Sequence, residues 1–236
     1  MQWQFNKSFL FLILLPIIGL RLYPQSITIN EFMSANSYFI TDEDGDYSAW
    51  IELYNYGTET INLFGFGLSD DDSNPFRWKF PAITILPDQY ILIWASGKDK
   101  TIPGMPLHTN FSIKVSDEPL ILTNPYGTTI CEVSPITLPS DISYGRQPDG
   151  NDKWFFFIEP TPNAPNQTQA YPGILDHPQF SHQGGFYTDD FWLTISHIDP
   201  EVIIYYTCLL YTSDAADDLL CVDLGGCRII NKKKIT

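Results

Sequence analysis

The chain has 236 residues, of which 28 are Asp or Glu and 13 are Lys or Arg, and its formal net charge is −15 at pH 7. Such a surface repels phosphate backbones, because affinity for nucleic acids comes largely from Lys and Arg that neutralise phosphates. Anionic membrane surfaces are disfavoured for the same reason. The composition therefore argues against DNA or RNA as a partner and makes divalent cations the natural counterions.

The chain begins with a segment typical of an export signal. Lys7 precedes an apolar run at residues 9–20, and Arg21 ends the run. A membrane-spanning helix needs about 20 apolar residues, so this run is too short to span a bilayer, but it suits the core of a signal peptide. We expect a signal peptide over residues 1–26, with a buried N-terminal helix as the alternative. The mature chain is then secreted or at the cell surface, without a membrane span.

Residues 27–166 have the pattern of an all-β domain. Short runs rich in β-branched and aromatic residues alternate with polar residues and are separated by Gly, Pro, Asn and Asp clusters. No sustained apolar period of 3.6 residues occurs, so no long helix is predicted. Strands at this spacing, closed by tight turns, favour a two-sheet sandwich. We expect strands at residues 27–32, 50–55, 61–63, 66–69, 77–80, 90–95, 120–122 and 129–133.

The second predicted strand combines a tryptophan with a glutamate. Trp50, and not Glu52, is expected to point inward. Glu52 then either faces solvent or pairs with a base such as Arg77 or Arg146 in a structural ion pair. The strand tryptophans are most simply core or sheet-face aromatics, with a ligand platform as the alternative; they are Trp50, Trp78 and Trp94.

Cysteine and histidine give no clear metal site. Cys131 is the only cysteine before residue 208, and its place in an alternating strand predicts a small buried hydrophobic side chain. The spacing of the histidines does not match that of metal ligands. His108 is expected to be structural.

The acidic loop at residues 42–46 is the clearest candidate binding site. Asp42, Asp44 and Asp46 alternate along it, and calcium takes six to eight oxygen ligands. The loop does not fit an EF-hand, because Tyr47 stands where Gly is required and Leu53 where Glu is required. A calcium site at these three aspartates is one reading, and a solvated hairpin tip is the other. Residues 70–72 form a second acidic cluster, which is a weaker candidate for calcium binding.

Several motifs resemble those of the lamin-tail domain family, in its exported bacterial branch. They include Asn-Glu-Phe-Met at residues 30–33 and Trp-Ile-Glu-Leu-Tyr-Asn at residues 50–55, followed in the same order by residues 65–70, 78–81, 86–90, 94–99, 107–111, 143–150 and 160–166. The resemblance covers about residues 27–166 and implies an immunoglobulin-like β-sandwich. Lamin tails have chromatin and nuclear partners, but the acidic charge argues against transferring DNA binding to this chain.

A second module is expected to follow a linker at residues 167–173. Residues 174–207 resemble the start of the fibronectin-III-like module found at the C-terminus of chitobiase. In that module a strand such as Ile-Tyr-Tyr-Thr, here at residues 204–207, continues into further strands. We therefore predict a truncated second β-sandwich with an apolar face and an open edge, and poor order in isolation.

Residues 208–236 are expected to be non-native. Cys-Leu-Leu-Tyr-Thr-Ser at residues 208–213 corresponds to the codons TGT CTC TTA TAC ACA TCT, which resemble the transposase mosaic-end adapter of sequencing libraries. Such segments are excluded from fold reasoning. The cysteines in it, Cys208, Cys221 and Cys227, therefore define neither a disulfide framework nor a zinc site.

No nucleophile elbow, phosphate-binding loop or zinc-protease motif occurs, so no catalytic residue is assigned and this fragment is not expected to be an enzyme. The preferred hypothesis is the non-catalytic N-terminal part of an exported bacterial surface protein, with the sandwich as an adhesion, targeting or spacing module. A protein or carbohydrate ligand is the expected partner. The alternatives are an accessory region of a larger enzyme, either similar to the spore-coat protein H kinases or a hydrolase, and a calcium-dependent binding module. No other cofactor is expected.

Overall fold

The computed structural model describes residues 26–114 and 118–205. Residues 1–25 of the predicted signal peptide and the adapter-like tail lie outside the described residues. The described part contains no helix, and its strands are β1 (Ile27–Met33), β2 (Ala49–Asn55), β3 (Ile61–Asn62), β4 (Gly67–Ser69), β5 (Trp78–Lys79), β6 (Thr84–Ile85), β7 (Tyr90–Ala95), β8 (Leu107–His108), β9 (Leu120–Thr123), β10 (Thr129–Val133), β11 (Ser143–Arg146), β12 (Trp154–Phe157), β13 (Ala170–Tyr171), β14 (Gln179–Phe180) and β15 (Ile195–Ser196).

Two sheets form the larger part of the molecule. A seven-stranded sheet has the order β13-β12-β11-β1-β2-β7-β8, and a four-stranded sheet has the order β10-β9-β4-β5. Neighbouring strands within these sheets are antiparallel except β7 and β8, which are parallel. A two-stranded ribbon joins β3 to β6. The all-β sandwich expected from the strand pattern is confirmed.

The main core lies between these two sheets. Ile51 and Leu53 of β2 pack in one buried cluster with Leu68, Trp78 and Leu122 from the smaller sheet. Burying an aliphatic or aromatic side chain of this size stabilises the fold by about 1.5–3 kcal/mol. Cys131 is also buried in this cluster, as expected.

A β-bulge in β1 determines which side chains face the core. The register between β1 and β2 shifts between Ile29 and Glu31, so Asn30 is an extra residue. Ile29 and Phe32 therefore both reach the main core, while Met33 belongs to a second cluster. Without the extra residue, the alternation of β1 would send Glu31 into the core. With it, Glu31 lies on the opposite face of the sheet.

The second apolar cluster contains Met33, Trp50 and Trp94. Because side chains alternate along a strand, Trp50 and Glu52 must lie on the same face of β2. Both are fully buried. The expectation that Trp50 points inward and Glu52 does not is therefore wrong: the outer face of the large sheet is itself covered.

The chain divides into two compact units, with the boundary after Pro172. The first unit ends with β13, which pairs with β12; the segment expected to be a linker thus contributes a short edge strand. In the second unit β14 pairs with β15. Most side chains of the described part of the second unit are exposed, including Trp192 at 94%. None of the described segments forms an apolar helix long enough to cross a membrane.

Candidate functional site

The acidic loop at residues 42–46 is organised by its first aspartate. Asp42 is buried, and its Oδ1 accepts hydrogen bonds from the backbone N–H groups of Asp44 and Asp46, each at 3.0 Å. Its Oδ2 accepts a hydrogen bond from Ser48 Oγ at 3.0 Å. Gly45 has a φ of 85°, a conformation that glycine adopts without strain. The loop therefore has a defined shape that aims its carboxylates at a common point.

The structure brings the three predicted calcium ligands together. One carboxylate oxygen from each of Asp42, Asp44 and Asp46 lies within 4.8 Å of the others, and no other such group occurs in the described part of the chain. The ammonium of Lys98 lies among them, with Nζ at 2.6 Å from Asp42 Oδ2 and 2.8 Å from an oxygen of Asp44 and of Asp46. A basic side chain of the protein thus already neutralises this cluster.

Two further basic groups approach the loop. Lys100 Nζ lies 2.7 Å from Glu43 Oε1 and 2.5 Å from Asp44 Oδ2. His108, which is fully buried, has its Nε2 at 3.0 Å from both Glu43 oxygens and its Nδ1 at 2.8 Å from Ser96 Oγ. The segment from the end of β7 to β8 therefore supplies the countercharge, and His108 links the loop to the sheet.

These contacts keep the acidic loop ionised. Burial would raise the pKa of Asp42, but the hydrogen bonds from Lys98, Ser48 and the loop backbone outweigh burial and hold the pKa below its usual range. The hydrogen bonds from Lys100 and Lys98 lower the pKa of Asp44 to about 2. Burial opposes the charge of Lys98, yet the three carboxylates raise its pKa. The cluster is a set of charges held in an ion-pair network.

The weaker acidic cluster at residues 70–72 does not converge in this way. Asp70 Oδ1 lies 2.5 Å from Arg77 Nη1, whereas Asp71 Oδ1 accepts hydrogen bonds from Ser73. Asp70 therefore forms an ion pair, and Asp71 forms hydrogen bonds within its own turn.

A second carboxylate cluster lies on the outer face of the large sheet. Glu31 and Glu52 stand directly opposite each other on β1 and β2. Both residues are fully buried. The bulge at Asn30 produces this arrangement, because it places Glu31 on the face that already carries Glu52.

Each buried glutamate accepts hydrogen bonds from the segment that covers it. Glu31 binds Ser143 Oγ through Oε1 and accepts hydrogen bonds from Thr161 N at 3.3 Å and Thr161 Oγ1 at 3.2 Å. Glu52 Oε1 accepts a hydrogen bond from Asn30 Nδ2 at 3.1 Å, and its Oε2 accepts one from Asn163 N at 2.6 Å. All of these donors are neutral groups.

Asp149 extends the buried cluster. Its Oδ1 accepts hydrogen bonds from Asn30 Nδ2 at 3.0 Å and Asn166 N at 3.1 Å, and its Oδ2 accepts one from Tyr90 OH at 2.7 Å. Asn166 is itself buried and donates from Nδ2 to the carbonyl oxygen of Arg146 at 2.8 Å. Asn30 and Asn166 thus join strands and covering segment into one network.

Burial dominates the protonation of this cluster. It raises the pKa of Glu31 to about 7, although hydrogen bonds from Ser143 and Thr161 oppose the rise. Burial, together with the charges of Glu31 and Asp149, raises the pKa of Glu52 to about 9. Burial and the hydrogen bond to Asp149 also raise the pKa of Tyr90. Removing a carboxylate from water disfavours its charged form, and a neighbouring carboxylate adds to the effect.

Sequence reasoning missed this buried cluster. Glu52 neither faces solvent nor pairs with an arginine, since Arg77 binds Asp70 and the Arg146 guanidinium binds the backbone oxygens of Ile29 and Asn151. The sequence signal that could have revealed the cluster was the presence of Glu31 and Glu52 inside otherwise apolar strands. The bulge and the covering segment, which decide their surroundings, leave no local pattern.

One family model matches the chain. Residues 23–137 match the Lamin Tail Domain model. Domains of this family are non-catalytic and have the fold of an immunoglobulin-like β-sandwich. No curated protein matches the chain. The match ends before β11 and β12, although both strands pair into the same sheet as β1. The sandwich of this chain therefore extends beyond the matched residues.

Proposed function

We propose that the chain is the non-catalytic N-terminal part of an exported bacterial surface protein, in which the lamin-tail sandwich is an adhesion, targeting or spacing module. Both carboxylate clusters are occupied by the protein's own hydrogen-bond donors, and this supports a non-catalytic role. Lys98 lies among Asp42, Asp44 and Asp46, and backbone and side-chain groups cover Glu31 and Glu52.

An acid–base catalyst needs a titrating group within reach of a substrate proton. Glu31 and Glu52 have raised pKa values, but both are fully buried. The acidic loop is more accessible, yet its carboxylates are held in ion pairs with Lys98 and Lys100. These arrangements favour a scaffold over a catalytic site.

Exposed aromatic side chains supply possible contact surfaces. In the first unit Tyr126 is 90% exposed and Tyr38 is 66% exposed. In the second unit Trp192 is 94% exposed. Tyrosine and tryptophan combine a large apolar surface with a polar group, which suits contacts with proteins and with sugar rings. Together with the acidic charge, they support a protein or carbohydrate ligand.

Export is tested by producing the full chain in a bacterial host and sequencing the N-terminus of the protein outside the cytoplasm. We expect the exported product to begin at Ile27. Retention in the cytoplasm with Met1 in place would contradict the proposal.

Binding is tested by mixing the exported chain with insoluble chitin, cellulose and peptidoglycan and measuring what stays in solution. If sugar stacking mediates adhesion, Tyr126→Ala or Trp192→Ala should weaken binding by about tenfold, as loss of a central aromatic contact does. Glu59→Gln, at an exposed position, is the control. No depletion by any of the three polymers would eliminate adhesion to these polysaccharides.

An accessory region of a larger enzyme, either similar to the spore-coat protein H kinases or a hydrolase, is the second candidate. The motif order and the module beginning at residue 174 favour it, because both suggest a multidomain protein. Sequencing the genomic locus past the codon for Thr207 separates the two. A kinase-like or hydrolase domain downstream would support the enzyme, and a stop soon after one completed module would exclude it.

A calcium-dependent binding module is favoured by the convergence of Asp42, Asp44 and Asp46. Calcium would have to displace the ammonium of Lys98 from the three carboxylates. Calorimetry of the full chain with calcium tests this, and Lys98→Met should bind calcium more tightly than the wild type. If the wild type gives no heat and no rise in melting temperature, the calcium proposal fails.

A further inference from the structure

The segment at residues 159–166, called the strap, covers the two buried glutamates. Thr161 donates from its N and Oγ1 to Glu31, and Asn163 donates from its N to Glu52 Oε2 at 2.6 Å. Within the strap, Thr161 Oγ1 donates to Asn166 Oδ1 at 2.7 Å. The strap is thus attached directly to both carboxyl groups.

In the described residues, no basic side chain binds the two buried glutamates. The titratable side chains near the strap come from several elements. They are Glu31 on β1, Glu52 and Tyr54 on β2, Asp88 just before β7, Tyr90 on β7 and Asp149 after β11. The strap itself carries Glu159, which is exposed. Within the described residues, none of these side chains has a hydrogen bond or ion pair to Lys, Arg or His. The nearby Arg146 guanidinium instead binds the carbonyl oxygens of Ile29 and Asn151.

Two adjacent buried carboxylates without a cation cannot both be charged at low cost. An uncompensated buried charge costs several kcal/mol, so such a site either keeps a proton or admits water. Admitting water to this site requires the strap to move, since it donates hydrogen bonds to both carboxyl groups.

We propose that the strap is a proton-dependent clasp, closed over Glu31 and Glu52 while the pair keeps a proton and released when both carboxylates ionise. Other contacts limit the opening to the strap. Gln147 Nε2 donates to the carbonyl oxygens of Asn166 and Thr168, and β13 pairs with β12 beyond it. The strap would therefore lift as a loop with both of its ends held. Raised pKa values of Glu31 and Glu52 place the release on the alkaline side of neutrality.

Hydrogen exchange of the full wild-type chain, followed by mass spectrometry from about pH 6 to about pH 10, tests the clasp. Exchange is corrected for the intrinsic rise in rate with pH, and β9 in the sheet interior is the internal reference. Protection of the amides of Thr161 and Asn163 should fall by at least about tenfold relative to β9 across this range. Protection that stays parallel to that of β9 would overturn the proposal.

Three variants assign the effect. Glu52→Gln or Glu31→Gln removes one ionisation and should flatten the pH dependence of strap protection, even if the strap opens more at every pH. Glu59→Gln, at an exposed position, should leave the dependence as in the wild type. A pH dependence of equal size in all three variants would assign the opening to other groups and contradict the clasp.

Discussion

The two carboxylate clusters contain the same kind of side chain in opposite surroundings. The acidic loop is partly exposed and filled by Lys98 and Lys100, and the pKa of Asp44 falls to about 2. Glu31 and Glu52 are buried and are not paired with a basic side chain in the described residues. Their pKa values rise to about 7 and about 9. Countercharge and access to water, rather than the number of acidic residues, therefore decide the protonation of each cluster.

The largest loss of stability is expected for Gly145→Ala, because the added methyl group would clash with residues of the buried carboxylate cluster. A Cβ at this position would lie 2.7 Å from Asn166 Nδ2, 2.9 Å from Glu31 Cγ and 3.1 Å from the oxygen of Asn30. We expect a loss of about 2–4 kcal/mol in the free energy of unfolding, because overpacking would also break buried hydrogen bonds. Urea denaturation measures it, with Gly173→Ala, which meets nothing within 4 Å, as control. Equal stability of the two variants would contradict the packing described.

The buried pair should make the protein less stable at alkaline pH. The pKa values of Glu31 and Glu52 in the folded state, about 7 and about 9, exceed their ordinary value of 4.5, so the folded state binds more protons than the unfolded state. The stabilisation is complete below the ordinary pKa and is lost as pH rises through the folded values. The slope is at most about 1.4 kcal/mol per pH unit for each proton.

Urea denaturation from about pH 6 to about pH 10 checks this dependence, and Glu52→Gln should flatten it. A free energy of unfolding that does not fall over this range, with wild type and Glu52→Gln alike, would show that the pair is already ionised in the folded protein.

A smaller loss is expected when the base is removed from the acidic loop. Lys98→Met leaves three convergent carboxylates without their shared partner, and the side chain of Asp42 is fully buried. We expect a loss of about 1–2 kcal/mol in the free energy of unfolding, measured by urea denaturation at neutral pH. Lys153→Met, at an exposed position, is the control. Similar losses in the two variants would mean that Lys98 does not hold the loop together.

The smallest effect is expected for Lys100→Met. Lys100, Glu43 and Asp44 are all partly exposed, so water screens their ion pairs and we expect only a slight loss in the free energy of unfolding. The loss should shrink as salt is added, because salt screens exposed charges. A large loss that does not depend on salt would indicate a structural role beyond charge.

The local sequence predicted much of the fold. Strands such as β1, β2, β7 and β10 follow short apolar and β-branched runs, and the structure has them within about one residue of the expected positions. β11 and β12 were not predicted as strands. β11 pairs with β1, which joins residues more than a hundred positions apart, and local patterning does not encode such a contact. β12 then pairs with β11.

The candidate sites were predictable only in part. The alternation of Asp42, Asp44 and Asp46 indicated that their carboxylates converge, but nothing nearby in sequence pointed to Lys98 as the partner. The buried pair of Glu31 and Glu52 was harder to predict from the sequence, because a single extra residue at Asn30 reverses the face on which Glu31 lies. Bulges and contacts between distant segments are tertiary features, and they determine both clusters.

Glu31 and Glu52 together are expected to keep a proton under conditions that ionise ordinary glutamates. Carbon-13 NMR of the side-chain carboxyl groups of the full chain tests it directly, with Glu31→Gln and Glu52→Gln assigning the two resonances. We expect at least one of them to have the chemical shift of a neutral carboxylic acid at pH 7 and to change only as the pH rises further. Two resonances that both titrate near the ordinary pKa of 4.5 would show that neither glutamate keeps its proton at neutral pH.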